Sequence, residues 1–240
     1  MFESLRTTVV APLAERWLAW SRASWRTLPL PSGSQFVHAE GPDPDRILLI
    51  GAGIGMGYGM ESHDDALAGQ IARQVSELTG RGVQVDVVVG ERLTVEVALD
   101  NLSVTRLREL DVVLTTSGSL DRLLLLPMSV WARRTELFLN HFAKNAPASL
   151  RVLVVGIPEL SKVVRVPPLL GVLADHWVRK LNCVLEMSCA SRPYAQFIPF
   201  QPTEISGRDG TGRTYRNWAG LIAPSVAAAV QQHHQVVTAH

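Results

Sequence analysis

Apolar positions along this chain fall into two alternating rhythms. Ile47–Ile50 is a short, unbroken apolar run entered from Arg46 and closed by Gly51, the pattern of a strand buried on both faces. Residues 62–80 then switch to helical spacing. Leu67, Ile71, Val75 and Leu78 share a face, Ser62-His63-Asp64-Asp65 supplies a polar start, and Gly80 supplies the stop. Val83–Val89 reads as a second strand, Asp111–Thr116 as a third, Arg151–Gly156 as a fourth and Gln196–Phe200 as a short fifth. Between them, Met128–Ala146 carries Trp131, Phe138 and Phe142 ahead of Pro147, and Leu169–Cys189 carries Leu170, Leu173, Trp177, Leu181 and Val184 at helical spacing. Tyr215–Gln232 reads as a closing helix broken at Pro224. Strands alternating with helices predict an α/β domain, a three-layer α/β/α sandwich around a parallel sheet of about five strands.

Upstream, residues 2–27 predict an amphipathic helix, with Leu5, Val9, Leu13, Trp17 and Trp20 on one face and Arg6, Glu15, Arg16 and Arg22 on the others. Pro12 weakens its middle. This helix reads either as an arm packed on the domain or as a contact for a membrane surface or a partner protein, since Trp and Arg flank its apolar face. Pro29-Leu30-Pro31-Ser32-Gly33-Ser34 and Gly41-Pro42-Asp43-Pro44-Asp45 then predict a loop or linker. The chain thus divides into an N-terminal helix and linker, 1–45, and an α/β domain, 46–240.

Composition narrows the function classes. The chain has 240 residues, 47% of them hydrophobic and 19% charged, enough for one sizeable core and unlike a disordered chain. A net charge of +1 implies no nucleic-acid footprint. Cys183 and Cys189, the only two cysteines, lack the spacing of a metal or redox motif and read as buried helical thiols. No apolar run of about 18 residues suggests a membrane span, and the N-terminus lacks a secretory signal pattern. The expectation is a cytoplasmic protein, with residues 2–27 as the candidate peripheral membrane contact. No cofactor is expected. His63 with Asp64 and Asp65 is too sparse for a metal site, and His233 and His234 read as solvated near the end of the last helix.

The glycine-rich turn after the first strand, Gly51-Ala52-Gly53-Ile54-Gly55, lies where open α/β sheets place their ligands. With the strand before it and Met56-Gly57-Tyr58-Gly59 after it, it resembles the first block of the SGNH/GDSL hydrolases, a three-layer α/β family of esterases, lipases and acyltransferases. Ser62-His63-Asp64-Asp65-Ala66-Leu67-Ala68-Gly69-Gln70 resembles the segment that follows in an actinobacterial-type branch of that family. Asp111–Asp121 is similar to its third block, and Thr214-Tyr215-Arg216-Asn217-Trp218-Ala219 to the helix after its last block. The resemblance runs from about residue 46 to about residue 224 and implies the family's fold.

The same resemblance implies that the family's chemistry has been replaced. Its nucleophilic serine falls on Gly53, its second-block oxyanion glycine on Arg92 and its third-block asparagine on Leu120, beside Asp121. Its histidine falls on Asp209, and that histidine's aspartate on Ser206. Residues 190–220 contain no histidine in any alignment. Acyl transfer by a serine needs an adjacent base, and losing the nucleophile or the histidine costs on the order of 10⁶ in rate in a well-studied serine protease. A displaced pair, Ser119 with His63, is the alternative route to catalysis. Two further readings concern the cleft. Gly53, Gly55 and Arg92 could hold a small anionic or acyl ligand, or Arg92 and Asp209 could pair and plug the site. The function classes left open are a catalytically degenerate SGNH-like protein, a divergent ester hydrolase or acyltransferase, and an interaction protein acting through residues 2–27.

Overall fold

The computed structural model describes residues 28–91, 93–116, 126–163, 167–202 and 212–238. Six strands form one sheet: β1 (Phe36–Ala39), β2 (Asp45–Gly51), β3 (Val83–Val89), β4 (Val112–Thr116), β5 (Arg151–Val155) and β6 (Ala195–Ile198), in the order β1-β3-β2-β4-β5-β6. All neighbours run parallel except β1, which pairs antiparallel with β3, Phe36 opposite Asp86 and Ala39 opposite Val83. The expected sheet of about five parallel strands is therefore present with an added antiparallel edge. That edge strand lies in the stretch read as linker. Pro and Gly on either side of Phe36–Ala39 mask it, because a strand of four residues is too short to show a period.

Among the described residues, the four long helices match the runs that predict them, and three short ones add to that reading. They are α1 (Leu67–Thr79), α2 (Val95–Asp100), α3 (Val104–Leu107), α4 (Met128–Asn145), α5 (Leu160–Val163), α6 (Pro168–Ala190) and α7 (Gly212–Thr238). Pro167 and Pro168 open α6, where a proline's missing N–H costs nothing. Gly80 closes α1 in the left-handed conformation, its N–H donating to the Ser76 carbonyl. α1 and α7 pack on each other over one side of the sheet, and α4 and α6 pack together over the other. The result is the three-layer α/β/α sandwich. Leu48, Leu49, Val113, Leu114 and Leu153, all but inaccessible, form its middle, as expected of parallel strands covered on both faces.

Several local expectations are corrected. Pro224 lies inside α7 without ending it. Ile222, Ala223, Val226, Ala227 and Val230 on either side of the proline are buried, and that packing holds the helix together across the lost backbone bond. Leu78, in the last turn of α1 beyond the buried Val75, is exposed. Cys189 is buried but Cys183 is exposed, because α6 turns its Cys183 face outward. Burial pushes the Cys189 thiol up to about 11 against the pull of Arg192, which leaves it an inert thiol.

The largest correction concerns the histidines of α7. His233 is buried, with Nε2 3.0 Å from Asp111 Oδ1 and Nδ1 3.1 Å from the Ser149 carbonyl oxygen. Both partners are acceptors, so the ring meets them as a hydrogen-bond donor. His234 Nε2 lies 2.7 Å from Oδ1 of Asp45, a fully buried carboxylate that also accepts from Arg81 Nε at 3.0 Å. These contacts fasten the end of α7 to the entry points of β2 and β4. Sequence spacing could not place them, since the histidines' partners lie between 84 and 189 residues away. Among the described residues, no helix is long and apolar enough to cross a membrane. The N-terminal helix expected over residues 2–27 lies outside them.

Two measurements test this architecture. Burial alone would push the Asp111 carboxyl up, but hydrogen bonds from His233 and the Arg46 N–H, with the charges of His233 and His234, hold it below its ordinary value. A depressed folded value means stability present above the ordinary aspartate range and lost as pH falls through the folded value. Asp111→Ala should therefore lower the unfolding free energy by about 1–3 kcal/mol at pH 7. In urea titrations that gap should narrow steadily as pH falls toward 3. Gly69, in the first turn of α1, supplies the second. Replacing a helical glycine by alanine ordinarily stabilises by about 1 kcal/mol. Here the new Cβ would sit 2.0 Å from the Asp64 carbonyl oxygen, so Gly69→Ala should instead destabilise by about 2 kcal/mol or more, read as a lower thermal midpoint.

Candidate functional site

The strand order reverses direction around β2: the chain passes outward to β3 and then returns to β4 on the other side of β2. The helix after β2 covers one face and the helix after β4 the other, so the crevice of the sheet opens at the carboxyl ends of β2 and β4. The glycine turn stands there. Gly51 pairs with Thr116 across the two strands, and a Cβ on Gly51 would meet the Thr116 carbonyl oxygen at 1.9 Å. Its φ of +140° also lies in the region that favours glycine.

The turn is tied down from that point. Ala52 N–H donates to the Thr116 carbonyl at 3.2 Å, and the Thr116 hydroxyl donates to the Ala52 carbonyl at 2.8 Å. Gly53–Met56 forms a single 3₁₀ turn, with Gly53 at φ +64°. The Gly55 N–H donates to the Ala52 carbonyl at 3.4 Å, so that amide is occupied within the turn. Tyr58, just beyond, donates its hydroxyl to Glu91 Oε1 at 2.9 Å and accepts the Tyr215 hydroxyl on its carbonyl at 3.1 Å. Burial pushes the Tyr215 phenol well above its ordinary value, so Tyr215 acts here as a neutral hydrogen-bonding group.

His63 does not begin the helix. It lies in the turn four residues ahead of α1, where its carbonyl accepts the Gly69 N–H at 3.0 Å. The ring is buried and its Nδ1 has no hydrogen-bond partner among the described residues. Burial holds the imidazole below its ordinary value, with Asp64 pulling the other way. Arg92, Ser119, Leu120, Asp121, Ser206 and Asp209 lie outside the described residues; of the expected set that remains, Gly53 and Gly55 share one turn, and His63 lies in the separate turn ahead of α1. Among the described residues no group of three His, Cys, Asp or Glu could hold a metal ion.

Beside the turn lies a cavity of about 180 Å³ that the sequence reading did not foresee. Ile50, Thr115 and Val154 stand in register across β2, β4 and β5 and form its floor. Trp131, Arg134, Thr135 and Phe138 of α4 form its roof, and Leu93, Thr94 and Val95 close one side. His63 does not line it. The signal was available in part: positions 131, 134, 135 and 138 share one helical face. What the spacing could not show was that the face stands clear of the sheet instead of packing flush against it.

No family model matches the sequence, and no curated protein matches it. Solved structures do resemble it. A variant of the esterase AlinE4 superposes with a TM-score of 0.46 at 15% identity, over 66% of this chain and 77% of that one. A family two carbohydrate esterase from Cellvibrio japonicus superposes with a TM-score of 0.50 at 11% identity, over 81% of this chain and 63% of that one. This chain thus spans less than two thirds of the carbohydrate esterase. At such identity the likeness is one of architecture, and together with the six-stranded, mostly parallel sheet flanked by helices it shows an SGNH-hydrolase-like α/β/α fold.

Proposed function

We propose that this protein is an SGNH-like pseudoenzyme, one that keeps the fold's strand-end crevice as a binding site for a small acyl or anionic ligand and does not hydrolyse esters. The observation that carries this reading is the turn itself. Gly51-Ala52-Gly53 offers no hydroxyl, thiol or imidazole, and the adjacent hydroxyl, that of Thr116, is buried and donates to the Ala52 carbonyl at 2.8 Å. A hydroxyl so committed gives its proton to a carbonyl and hydrogen-bonds no base among the described residues, so it is not activated for attack. The cavity next to the turn supports retention of a binding role, because a closed core would be packed without such a void.

The reading is tested with p-nitrophenyl acetate and butyrate at pH 7–8. The native protein should show no turnover above buffer, and Ser119→Ala should leave that result unchanged. Gly53→Ser should restore nothing either, since residues 190–220 supply no histidine to activate the new hydroxyl. Turnover by the native protein that vanishes in Ser119→Ala or His63→Ala would sink the proposal and establish the displaced catalytic pair in its place.

A further inference from the structure

Among the described residues the cavity beside the turn carries two charged side chains, and they are not equivalent. Glu91 is exposed and its Oε1 accepts the Tyr58 hydroxyl. Arg134 is half-buried on the face of α4 that roofs the cavity, one turn from Trp131 and Phe138. Its guanidinium has neither a hydrogen bond nor an ion pair among the described residues, and Glu96 acts on it only through the field. A guanidinium presents a planar fork that matches a carboxylate. Behind it the walls are apolar, with Ile50, Leu93, Val95, Trp131, Phe138 and Leu185 among them. An engineered apolar cavity of roughly 150 Å³ admits one benzene ring, so the volume of about 180 Å³ here admits a ring or a short branched chain.

We propose that this cavity binds a small apolar carboxylate, its ring or branched tail inside the cavity and its carboxylate on Arg134. The proposal rests on the ligand-binding reading above and adds the class of ligand. It differs from ester recognition because Arg134 answers a full negative charge, which an ester lacks. Thr115 and Thr135 offer hydroxyls around the same space, so the head group need not be stripped of hydrogen bonds as it docks.

Benzoate, benzyl alcohol and benzylamine share a ring and differ in head-group charge, so isothermal titration of the three against the full chain isolates the role of Arg134. Benzoate should bind about tenfold tighter than benzyl alcohol, and Arg134→Gln should erase that advantage while leaving the alcohol's affinity and the thermal midpoint unchanged. Ala98→Leu, which fills the cavity from α2, should weaken benzoate and benzyl alcohol together. Equal affinity for benzoate and benzyl alcohol, unchanged benzoate affinity in Arg134→Gln, or tighter binding of benzylamine each overturns the carboxylate assignment while the binding reading stands. Failure of all three compounds to bind overturns the assignment and the binding role together. Hydrolysis of the nitrophenyl esters by the native protein overturns the pseudoenzyme reading, whatever the titrations show.

Discussion

The close approach of β2 and β4 at their carboxyl ends governs what this fold can do. Where Gly51 faces Thr116, the backbones come so near that any side chain on Gly51 would overlap the opposite carbonyl. Two hydrogen bonds, Ala52 N–H to the Thr116 carbonyl and the Thr116 hydroxyl to the Ala52 carbonyl, then fix the turn against β4. In an open α/β sheet this is the crevice where ligands bind, and here its inner wall is made of backbone and one committed hydroxyl. A reacting group would have to be brought to this wall from elsewhere. What the wall does supply is rigidity, because a turn pinned by two hydrogen bonds to the same threonine has little freedom to reshape around a guest.

The opposite end of the sheet is held by charge. Asp45 and Asp111 stand at the entries to β2 and β4, and His234, Arg81 and His233 converge on them from α1's end and from α7. Burying a carboxylate without a partner is expensive, and one oxygen of Asp45 remains without a hydrogen-bond partner among the described residues. The arrangement therefore acts as a registry device more than as a source of net stability. It specifies where α7 ends relative to the sheet. The two central strands are thus fixed at both ends by different means, hydrogen-bonded backbone above and paired charge below. The cavity lies at the carboxyl end, beside the turn and beneath α4.

The fold was largely written in local pattern. The bounds of β3 and the start of α4 coincide with the runs that predict them, because valines alternate with Gln84 and Asp86 along the strand and Pro127 stands at the helix start. What escaped the pattern depended on contacts between distant residues. β1 was hidden by its shortness among turn formers. The α7 histidines looked solvated because their carboxylate partners belong to other strands. Leu78 and Cys183 faced solvent because spacing gives the angle of a side chain around a helix and says nothing about how far the core extends along it.

The site was less legible, and for a related reason. A resemblance that rests on motif blocks assigns positions within those blocks, and Gly53 did prove to stand in the turn at the head of the crevice. It is silent about the space between blocks. The cavity is made by β2, β4 and β5 in register with one face of α4, and none of its helical lining belongs to a motif. Ile50, Thr115 and Val154 become neighbours only through strand pairing, and Arg134 joins them only because α4 crosses above. A search for catalytic residues looks for nucleophiles and bases, so an arginine on a helix face carries no weight in it. Once the turn is seen to hold no nucleophile, that arginine, half-buried over an apolar void, becomes the group at the crevice best suited to choosing a ligand by charge.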